Sequence, residues 1–525
     1  MLLGLIALAV IGGLFAGALA ALVAAAPATA RPPWSDPYLL RVAAFTLWQA
    51  GLSTVLAVGL AVPVARAIAR RGAFPGRTMI LRLYGLPLVI PVIVAVFGVV
   101  TVYGHNGWIN TALAALGLPR IGVLYGLPGI LIAHVFFNLP LATRFLVTAL
   151  AAVPGETWRL AAQLGMPSGA LFRLIEWPMI RQVLPGVAGL VFMLCFTSFA
   201  VVLTLGGGPR ATIIEVAIYQ ALRLDFDVGR AVALALVQIA LCGVFVGIGQ
   251  RFAVAPPSAP SEARSVARPD RDAPGAAFRD GALIAAATLY VTLPLAAVVV
   301  AGLAGPLGSV LADGDLWRAA ARSLAVALSA GTAALALGWC LLTLIRELRM
   351  RRRRMHWAGT VELAGSLVLV VSPQVLGAGL FLLLIPVIDV LGAGLVFVVA
   401  INAVMGLPYT LRLLGPTLMR MAEHHDRLCA SLRITGWNRF RLVDWPALRR
   451  PAGLAGALTA ALAMGDLSAV ALFGTRENAT LPLLLYQRLG GYRLDEAAVT
   501  ALVLVGLALL LFVAVERVVG GRGEG

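Results

Sequence analysis

The sequence predicts an all-α integral membrane protein with about 12 transmembrane helices, arranged as two homologous halves of six helices each. Its 525 residues are 60% hydrophobic and only 12% charged, whereas charged residues make up roughly a quarter of a typical soluble domain. Apolar segments of membrane-spanning length occur in two sets of six. One polar stretch occurs in both sets, at positions 159–178 and 427–446, which differ by 268 residues throughout.

The apolar segments define the expected spans. The first set lies near residues 2–26, 42–65, 80–103, 122–147, 183–205 and 229–253, and the second near 281–303, 319–345, 360–387, 391–413, 452–473 and 496–516. The first segment is longer than a signal-peptide core and has no basic residues before it. We therefore expect a retained helix, although Ala28-Thr29-Ala30 resembles a cleavage site.

A change of composition separates the two sets. Residues 254–280 include APPSAPSEARSVARPDRDAP, which is rich in Pro, Ser and charged residues and is typical of a flexible linker. The sequence thus predicts a first half at 1–253, a cytoplasmic linker at 254–280 and a second half at 281–525. Because each half has an even number of spans, the halves form a parallel repeat about an axis along the membrane normal. A pathway between the halves is the natural inference.

The net charge of +17 comes from Arg, since the chain contains no Lys. Arg residues cluster in short loops between apolar segments, as they do in the cytoplasmic loops of membrane proteins, which argues against nucleic-acid binding. Clusters follow the second span at Arg66–Arg82 and the eighth at Arg346–Arg354. One orientation then places both termini, the linker and both polar stretches in the cytoplasm. The four Cys residues are scattered, so no metal site or disulfide framework is expected.

The two polar stretches read RLAAQLGMPSGALFRLIEWP and RLCASLRITGWNRFRLVDWP. Each predicts a helix, a turn near Gly165 or Gly436, and a second amphipathic stretch that ends at Trp-Pro. In the first copy this second stretch places Phe172 and Ile175 on one side, with Arg173 and Glu176 on the other. A helix lying on lipid headgroups would explain one copy. Two equivalent copies in a twofold chain favour docking onto a partner that is itself twofold.

The polar stretch resembles the cytoplasmic signature of permease subunits of ATP-binding-cassette importers, which is Glu-Ala-Ala, three residues, Gly, nine residues and Ile-x-Leu-Pro. The first copy matches this pattern at Ala161, Gly165, Ile175 and Pro178. Arg159 stands in place of the Glu and Trp177 in place of the Leu. In the second copy Cys429, Arg433 and Val443 replace Ala, Gly and Ile. Since Gly usually forms the turn, the helix geometry at Arg433 is left open.

This resemblance implies that the loops at 151–182 and 420–450 couple the permease to its ATPase. The implied coupling residues are Arg159, Leu160, Ala161, Gly165, Ile175 and Pro178 in the first loop, and Arg427, Leu428, Arg433, Val443 and Pro446 in the second. It also implies two copies of the ATPase subunit, a periplasmic substrate-binding protein and a bacterial inner-membrane location. The permease would be non-catalytic and bind no cofactor, with ATP and Mg²⁺ used by the partner. Indeed Gly206–Gly208 lacks the Lys-Ser/Thr of a phosphate-binding loop.

Within that family the chain is most similar to the fused, two-half permeases of thiamine importers. The similarity lies in LGGGPRAT at 205–212 with Tyr219-Gln220, and in Phe473-Gly474 with Tyr486-Gln487. It implies import of thiamine or its phosphates. Three alternatives stay open: a ferric iron permease of the same architecture, an ion-coupled secondary transporter with two six-span halves, and a scaffold that anchors a soluble enzyme, which would explain the loops but not the duplicated spans.

Several polar residues within apolar segments are candidates for the substrate path. Asp466 is the main one, because a carboxylate inside a span costs at least about 2.5 kcal/mol and is by default functional. Its counterpart at the 268-residue spacing is Ser198, beside Thr197. The other interpretation of Asp466 is a role in helix packing or at a helix end. For His134, Asn138 and Asn402, hydrogen bonding between helices is an equal explanation.

Overall fold

The computed structural model describes residues 2–25, 36–122, 124–251, 268–271, 275–365, 371–385, 387, 389–390 and 392–521, and these contain helices without β-strands. The first half contains α1 Leu2–Ala24, α2 Pro37–Arg71, α3 Val92–Tyr103, α4 Leu127–Ala151, α5 Trp177–Phe196 and α6 Val228–Arg251. The second contains α7 Ala276–Ala304, α8 Gly314–Arg346, α9 Pro373–Leu384, α10 Gly394–Ser431, α11 Trp445–Met464 and α12 Leu494–Gly520. The all-α class is confirmed.

Shorter helices fill the connections. They are Arg77–Leu83, Trp108–Ala115, Gly155–Gln163, Ser168–Leu171, Phe199–Leu205, Ile214–Arg223, Leu307–Leu311, Met355–Gly365, Gly436–Arg439, Ser468–Phe473 and Leu481–Gly490. In the described part of the chain, ten helical segments are long and apolar enough to cross a membrane. Of the twelve principal helices, α3 has 12 residues and reaches spanning length only together with the next helix, to Ala115, whereas α9 has 12 residues and falls short. Helix α11 falls short because Arg449 and Arg450 near its start lower its mean hydropathy.

Two expected spans are broken at equivalent places. The segment near 183–205 divides after α5, and a new helix begins at Phe199. The segment near 452–473 divides after α11, and a new helix begins at Ser468. The breaks contain Ser198 and Asp466, the pair related by 268 residues. Polar residues and Gly465 thus interrupt runs that are continuous by hydropathy alone.

The linker differs from its expected bounds and character. Helix α7 begins at Ala276, so the linker does not extend to 280. Residues 252–267 and 272–274 lie outside the described part of the chain, as do Ala28-Thr29-Ala30. Between them, residues 268–271 contact the first polar loop, which a freely flexible linker would not do.

The first helix of each half packs against the other half. Helix α1 lies against α8 and α9, while α7 lies against α2 and α3 as well as α12. The contacts are close: a Cβ at Gly98 in α3 would come within 2.3 Å of the Pro294 carbonyl oxygen, and one at Gly379 in α9 within 2.5 Å of the Ala18 carbonyl oxygen. Small residues permit such close backbone approach in membrane bundles. The two halves therefore share one core.

Both ends of the described chain lie at the same end of the bundle as the polar loops. Gly4 in α1 lies against Leu344, near the end of α8. Gly520, at the end of α12, lies against Gly453, close to the start of α11. Arg70, at the end of α2, pairs with Asp270 of the linker. The expectation that these elements share one side of the membrane agrees with this arrangement.

Candidate functional site: two polar loops and the broken spans

The first polar loop is a short helix closed by a glycine turn. Helix Gly155–Gln163 follows Pro154, which lacks an N–H and ends the preceding helical run. Gly165 then adopts a left-handed conformation with φ of 58°. The Gly165 and Met166 amides donate to the Ala162 and Ala161 carbonyls, each at 3.1 Å, and satisfy the end of the helix. The chain returns to α5 through Ser168–Leu171 and Phe172–Glu176.

The second polar loop has the same turn, but the helix that precedes the turn is different. Helix α10 continues without a break to Ser431, because Ala422 stands where the first loop has Pro154. Arg433 has φ of 54°, and the Ile434 amide donates to the Cys429 carbonyl at 2.8 Å. Arg433 therefore forms the turn that Gly165 forms in the first loop. A non-glycine residue pays roughly 1–2 kcal/mol for that conformation.

Each loop helix presents a pair of leucines to solvent, one helical turn apart. Leu160 and Leu164 are 57% and 67% exposed, and their counterparts Leu428 and Leu432 are 54% and 60% exposed. Arg159 and Arg427 are exposed beside them, while Ala161 and Cys429 face the body of the protein. Exposed apolar side chains repeated at equivalent places make these surfaces candidates for contact with a partner or with lipid headgroups.

The remaining predicted loop residues support the loop from within. Ile175 packs against a small buried cluster that includes Trp158 and Leu171. Its counterpart Val443 is partly buried. Pro178 and Pro446 occupy the first turns of α5 and α11, where a proline is well accommodated.

Glu176 does not lie on an exposed polar face with Arg173, as the amphipathic pattern predicts. Arg173 is exposed, but Glu176 is fully buried. The cause is a π-helical turn at Phe172–Glu176, where the wider repeat shifts side chains relative to an α-helix. The second loop has the same turn at Phe440–Asp444, and it buries Asp444.

These buried acids tie each loop to the second helix of its own half. Arg66 Nε in α2 lies 2.5 Å from Glu176 Oε2. Arg346 in α8 lies 3.2 Å from Asp444 and 2.8 Å from Asp426. Burial raises the pKa of Asp444, and the Arg346 guanidinium opposes that rise. The sequence indicated these arginines only as orientation signals, because pairing over such separations has no local pattern.

Asp466 occupies a helix end in the broken span of the second half. Its carboxylate accepts hydrogen bonds from the amides of Ser468 at 2.9 Å and Ala469 at 3.3 Å. Asn402 Nδ2 in α10 donates to Asp466 Oδ2 at 2.8 Å. The helix-end interpretation accounts for these contacts. Asp466 also keeps partial exposure.

The matching residues of the first half bond to their own helix. Ser198 Oγ donates to the Cys195 carbonyl at 2.8 Å, and Thr197 Oγ1 donates to the Met193 carbonyl at 2.9 Å. Each hydrogen bond found for Thr197, Ser198 and Asp466 in the described residues stays within its own half. The two breaks therefore lie at equivalent positions in the two halves. Among the described residues, no hydrogen bond joins these three side chains to one another.

The polar residues of the fourth spans hold neighbouring helices together. His134 Nδ1 in α4 lies 2.8 Å from Ser53 Oγ in α2. Asn138 Nδ2 donates to the His134 carbonyl at 2.9 Å and contacts Cys195 Sγ at 3.4 Å. Both residues are buried. Hydrogen bonding between helices accounts for both residues.

A further polar cluster, which sequence reasoning missed, joins the halves. Gln238 Nε2 donates to Glu215 Oε1 at 3.0 Å and to Ser372 Oγ at 3.1 Å, and all three residues are buried. Ser372 precedes α9, whereas the other two belong to the first half. An acid in an apolar run was the available signal at Glu215. Among the described residues, no group of three or more His, Cys, Asp or Glu is placed to hold a metal ion.

Comparison with known proteins matches relatives over most of the chain, although no family model matches. The chain is 47% identical over 494 residues to the thiamine transport system permease protein of Brucella abortus (strain 2308), covering 93% of this chain and 89% of the relative. It is 46% identical over 488 residues to the Escherichia coli (strain K12) protein of the same description, covering 93% and 90%. The Haemophilus influenzae protein is 37% identical over 487 residues, covering 91% and 88%.

A crystal structure of a bacterial ABC transporter involved in the import of the acidic polysaccharide alginate has a chain 18% identical to this one, with a TM-score of 0.37, covering 41% of this chain and 79% of that one. The curated relatives, the helical fold and the duplicated loop define a non-catalytic, multi-pass membrane permease subunit of an ABC importer. The chain belongs to the family of thiamine transport system permease proteins. The resemblance found in the sequence is confirmed.

Proposed function

We propose that this chain is the permease of an ATP-driven importer that moves thiamine, or thiamine phosphates, into the cytoplasm. Family membership at 37% to 47% identity over most of the chain is the observation that carries the substrate. The ferric iron alternative is not favoured, because the relatives described here are thiamine transport permeases. We place the protein in the bacterial inner membrane, where a periplasmic binding protein delivers the substrate.

The coupling proposal concerns the loops at 151–182 and 420–450. Each presents the same exposed leucine pair, Leu160 with Leu164 and Leu428 with Leu432, beside an exposed arginine. Two equivalent surfaces suit two copies of an ATPase subunit. Pro178, Pro446, Ile175 and similar residues shape the loops, while the leucines make the contact.

On this proposal the two halves, about 1–253 and 281–525, move relative to each other. ATP and Mg²⁺ are bound by the partner subunits and not by this chain. ATP binding draws the two loops together and opens the path outward, and hydrolysis returns it. Asp466, which keeps partial exposure, would offset the positive thiazolium charge, with Thr197 and Ser198 at the equivalent break. An acidic residue inside a membrane span is by default a candidate for such a role.

The test is uptake of labelled thiamine by proteoliposomes that contain the permease, the ATPase and the binding protein. We expect accumulation that requires ATP and is competed by unlabelled thiamine but not by ferric chelates. Uptake driven by an ion gradient without the ATPase would instead establish a secondary transporter. Accumulation of iron without thiamine would remove the substrate proposal and leave the permease assignment.

The coupling surfaces are tested in the same assay with Leu160→Glu and Leu428→Glu. Each substitution is expected to lower uptake at least about tenfold, because a buried, unpaired charge at an interface costs several kcal/mol. Leu118→Glu is the control, since Leu118 is also exposed but lies outside both loops. Normal uptake by both loop variants would contradict the coupling proposal.

A further inference from the structure

The two loops differ in which part of the chain supplies a buried arginine. In the second loop, Arg439 forms ion pairs with Asp426 and with Asp444, the latter at 3.6 Å. All three residues belong to that loop or to the helix leading into it. Arg439 is buried, so its charge is balanced by these neighbours and not by water.

The first loop has no arginine at the corresponding position. At the 268-residue spacing, Leu171 stands for Arg439, Trp158 for Asp426 and Glu176 for Asp444. Leu171 is fully buried. By its own sequence the first loop would therefore hold a buried acid with one cation fewer than the second.

Arg268 of the linker supplies that cation. Its guanidinium pairs with Glu176 and lies over the Trp158 ring, 4.4 Å from the ring centre. It thus contacts the counterparts of the two residues that Arg439 contacts in the second loop. A planar guanidinium over an indole ring is a favourable arrangement. Each loop acid then has two arginines: Glu176 has Arg66 and Arg268.

Further contacts fix the linker segment, defined here as residues 268–271. Asp270 lies 3.0 Å from Arg70 Nε and accepts a hydrogen bond from Ser168 Oγ at 3.1 Å. Arg268 Nε also pairs with Asp270 Oδ1 at 3.1 Å. Arg71 donates to the Arg271 carbonyl at 2.9 Å. Arg268 and Asp270 are both buried, so the segment fits between the loop and the end of α2.

We propose that the linker segment is a functional part of the first coupling loop. Within this segment Arg268 is a positioning residue, which has the role that Arg439 has in the second loop. The inference rests on the proposed coupling function of the loops. Its consequence is an asymmetric permease: the first docking surface depends on the chain that joins the halves, and the second is self-contained. Loss of Arg268 would leave Glu176 with Arg66 as its one arginine partner among those described and would release Trp158, which precedes Arg159 and Leu160 on the loop helix.

The experiment compares Arg268→Met with a double variant that also carries Leu171→Arg. Arg268→Met is expected to lower thiamine uptake at least about tenfold per folded permease, because the buried acid loses one of its two cations. ATP hydrolysis by the assembled complex should fall less, since the second loop still engages its ATPase. Leu171→Arg restores the guanidinium from the position used in the second loop, and it is expected to return most of the uptake.

Matched variants separate the possible failures. Arg279→Met removes an exposed arginine close to the same linker and is expected to leave uptake unchanged. Normal uptake by Arg268→Met would overturn the inference. The inference would also fail if uptake fell only in proportion to the amount of folded protein and Leu171→Arg did not restore it. If Leu160→Glu and Leu428→Glu also leave uptake normal, the coupling proposal itself has failed; if Leu160→Glu abolishes uptake while Arg268→Met does not, only the role of the linker segment is wrong.

Discussion

Several residues in this protein have a structural role that the residue type alone does not indicate. The place of Asp466 in an apolar run makes it a candidate for the substrate path, and the structure shows it at a helix end. The hydrogen bonds to Asn402 and to the Ser468 amide could not be predicted, because they depend on a helix break that hydropathy does not detect. Its counterpart Ser198 occupies the same kind of break without a charge.

The two functions of Asp466 can be separated by substitution. Asp466→Asn keeps an oxygen that accepts from the Ser468 amide, so the helix end should lose less than about 1 kcal/mol. If the carboxylate also serves a cationic substrate, uptake of thiamine should fall while the amount of folded permease stays unchanged. Asp466→Ala, the matched comparison, should lower both. Unchanged thiamine uptake by the Asn variant would remove the proposed role of the charge.

The left-handed turns provide a second prediction at this scale. Gly165→Ala should destabilise the first loop by about 1 kcal/mol, since a side chain is placed at φ of 58°. Arg433→Gly should stabilise the second loop by about 0.5 kcal/mol, because the relief of strain exceeds the added freedom of glycine in the unfolded chain. Hydrogen exchange at the Met166 and Ile434 amides, which close the two turns, measures both effects. Equal protection before and after substitution would show that the turns carry no strain.

At the scale of elements, the repeat in sequence predicted the repeat in structure closely. The first loop helix and its Gly165 turn follow from the sequence. The turn at Arg433 is left open there, α10 runs unbroken to Ser431, and the helical run continues through Trp177-Pro178 and Trp445-Pro446 instead of ending there. Burial of Glu176 and Asp444 does not, because an α-helical period assigns them to the wrong face of a π-helical turn. Docking of the linker segment was also missed, since composition predicts flexibility and carries no information on long-range pairing.

The linker segment should stay docked over the physiological pH range. Burial alone would raise the pKa of Asp270, but the guanidinium groups of Arg268 and Arg70 hold it below its ordinary value. A lowered pKa contributes stability that is present above about pH 3.9 and is lost as the pH falls through the folded-state value. Hydrogen exchange at residues 268–271, corrected for intrinsic rates, should therefore show constant protection from pH 8 to pH 5. Loss of protection between pH 7 and pH 5 would contradict this account.

At the scale of the whole molecule, the predicted orientation can be tested directly. Ser258 belongs to the linker, outside the described residues, and Asn478 lies between the two last short helices at the opposite end from the loops. Single cysteines at these positions, in a background without the four natural cysteines, should react with an impermeant reagent from opposite sides of the membrane. The expectation follows from the distribution of Arg and the even number of spans in each half. Reaction of both from the same side would refute the topology.

The exchange of first helices makes the two halves mechanically dependent, although no sequence pattern indicated it. Hydropathy locates each span but does not indicate which other spans it packs against. The contact places Gly98 against the Pro294 carbonyl and Gly379 against the Ala18 carbonyl, and a side chain at either glycine would separate the helices. Because each half packs against the first helix of the other, a movement at one polar loop would reach both halves.

Gly98→Leu and Gly379→Leu should each destabilise the purified permease by about 1–3 kcal/mol, because extra atoms are forced into a packed contact. Gly59→Leu is the matched control, since Gly59 lies in α2 with nothing within 4 Å of a Cβ at that position. The measurement is the midpoint of thermal unfolding in detergent, with uptake measured on the protein that remains folded. We expect both contact variants to unfold at lower temperature than the control and to lose uptake. A midpoint equal to that of Gly59→Leu at both positions would mean that the first helices do not pack across the halves as described, and the shared core would then have to be built from other contacts.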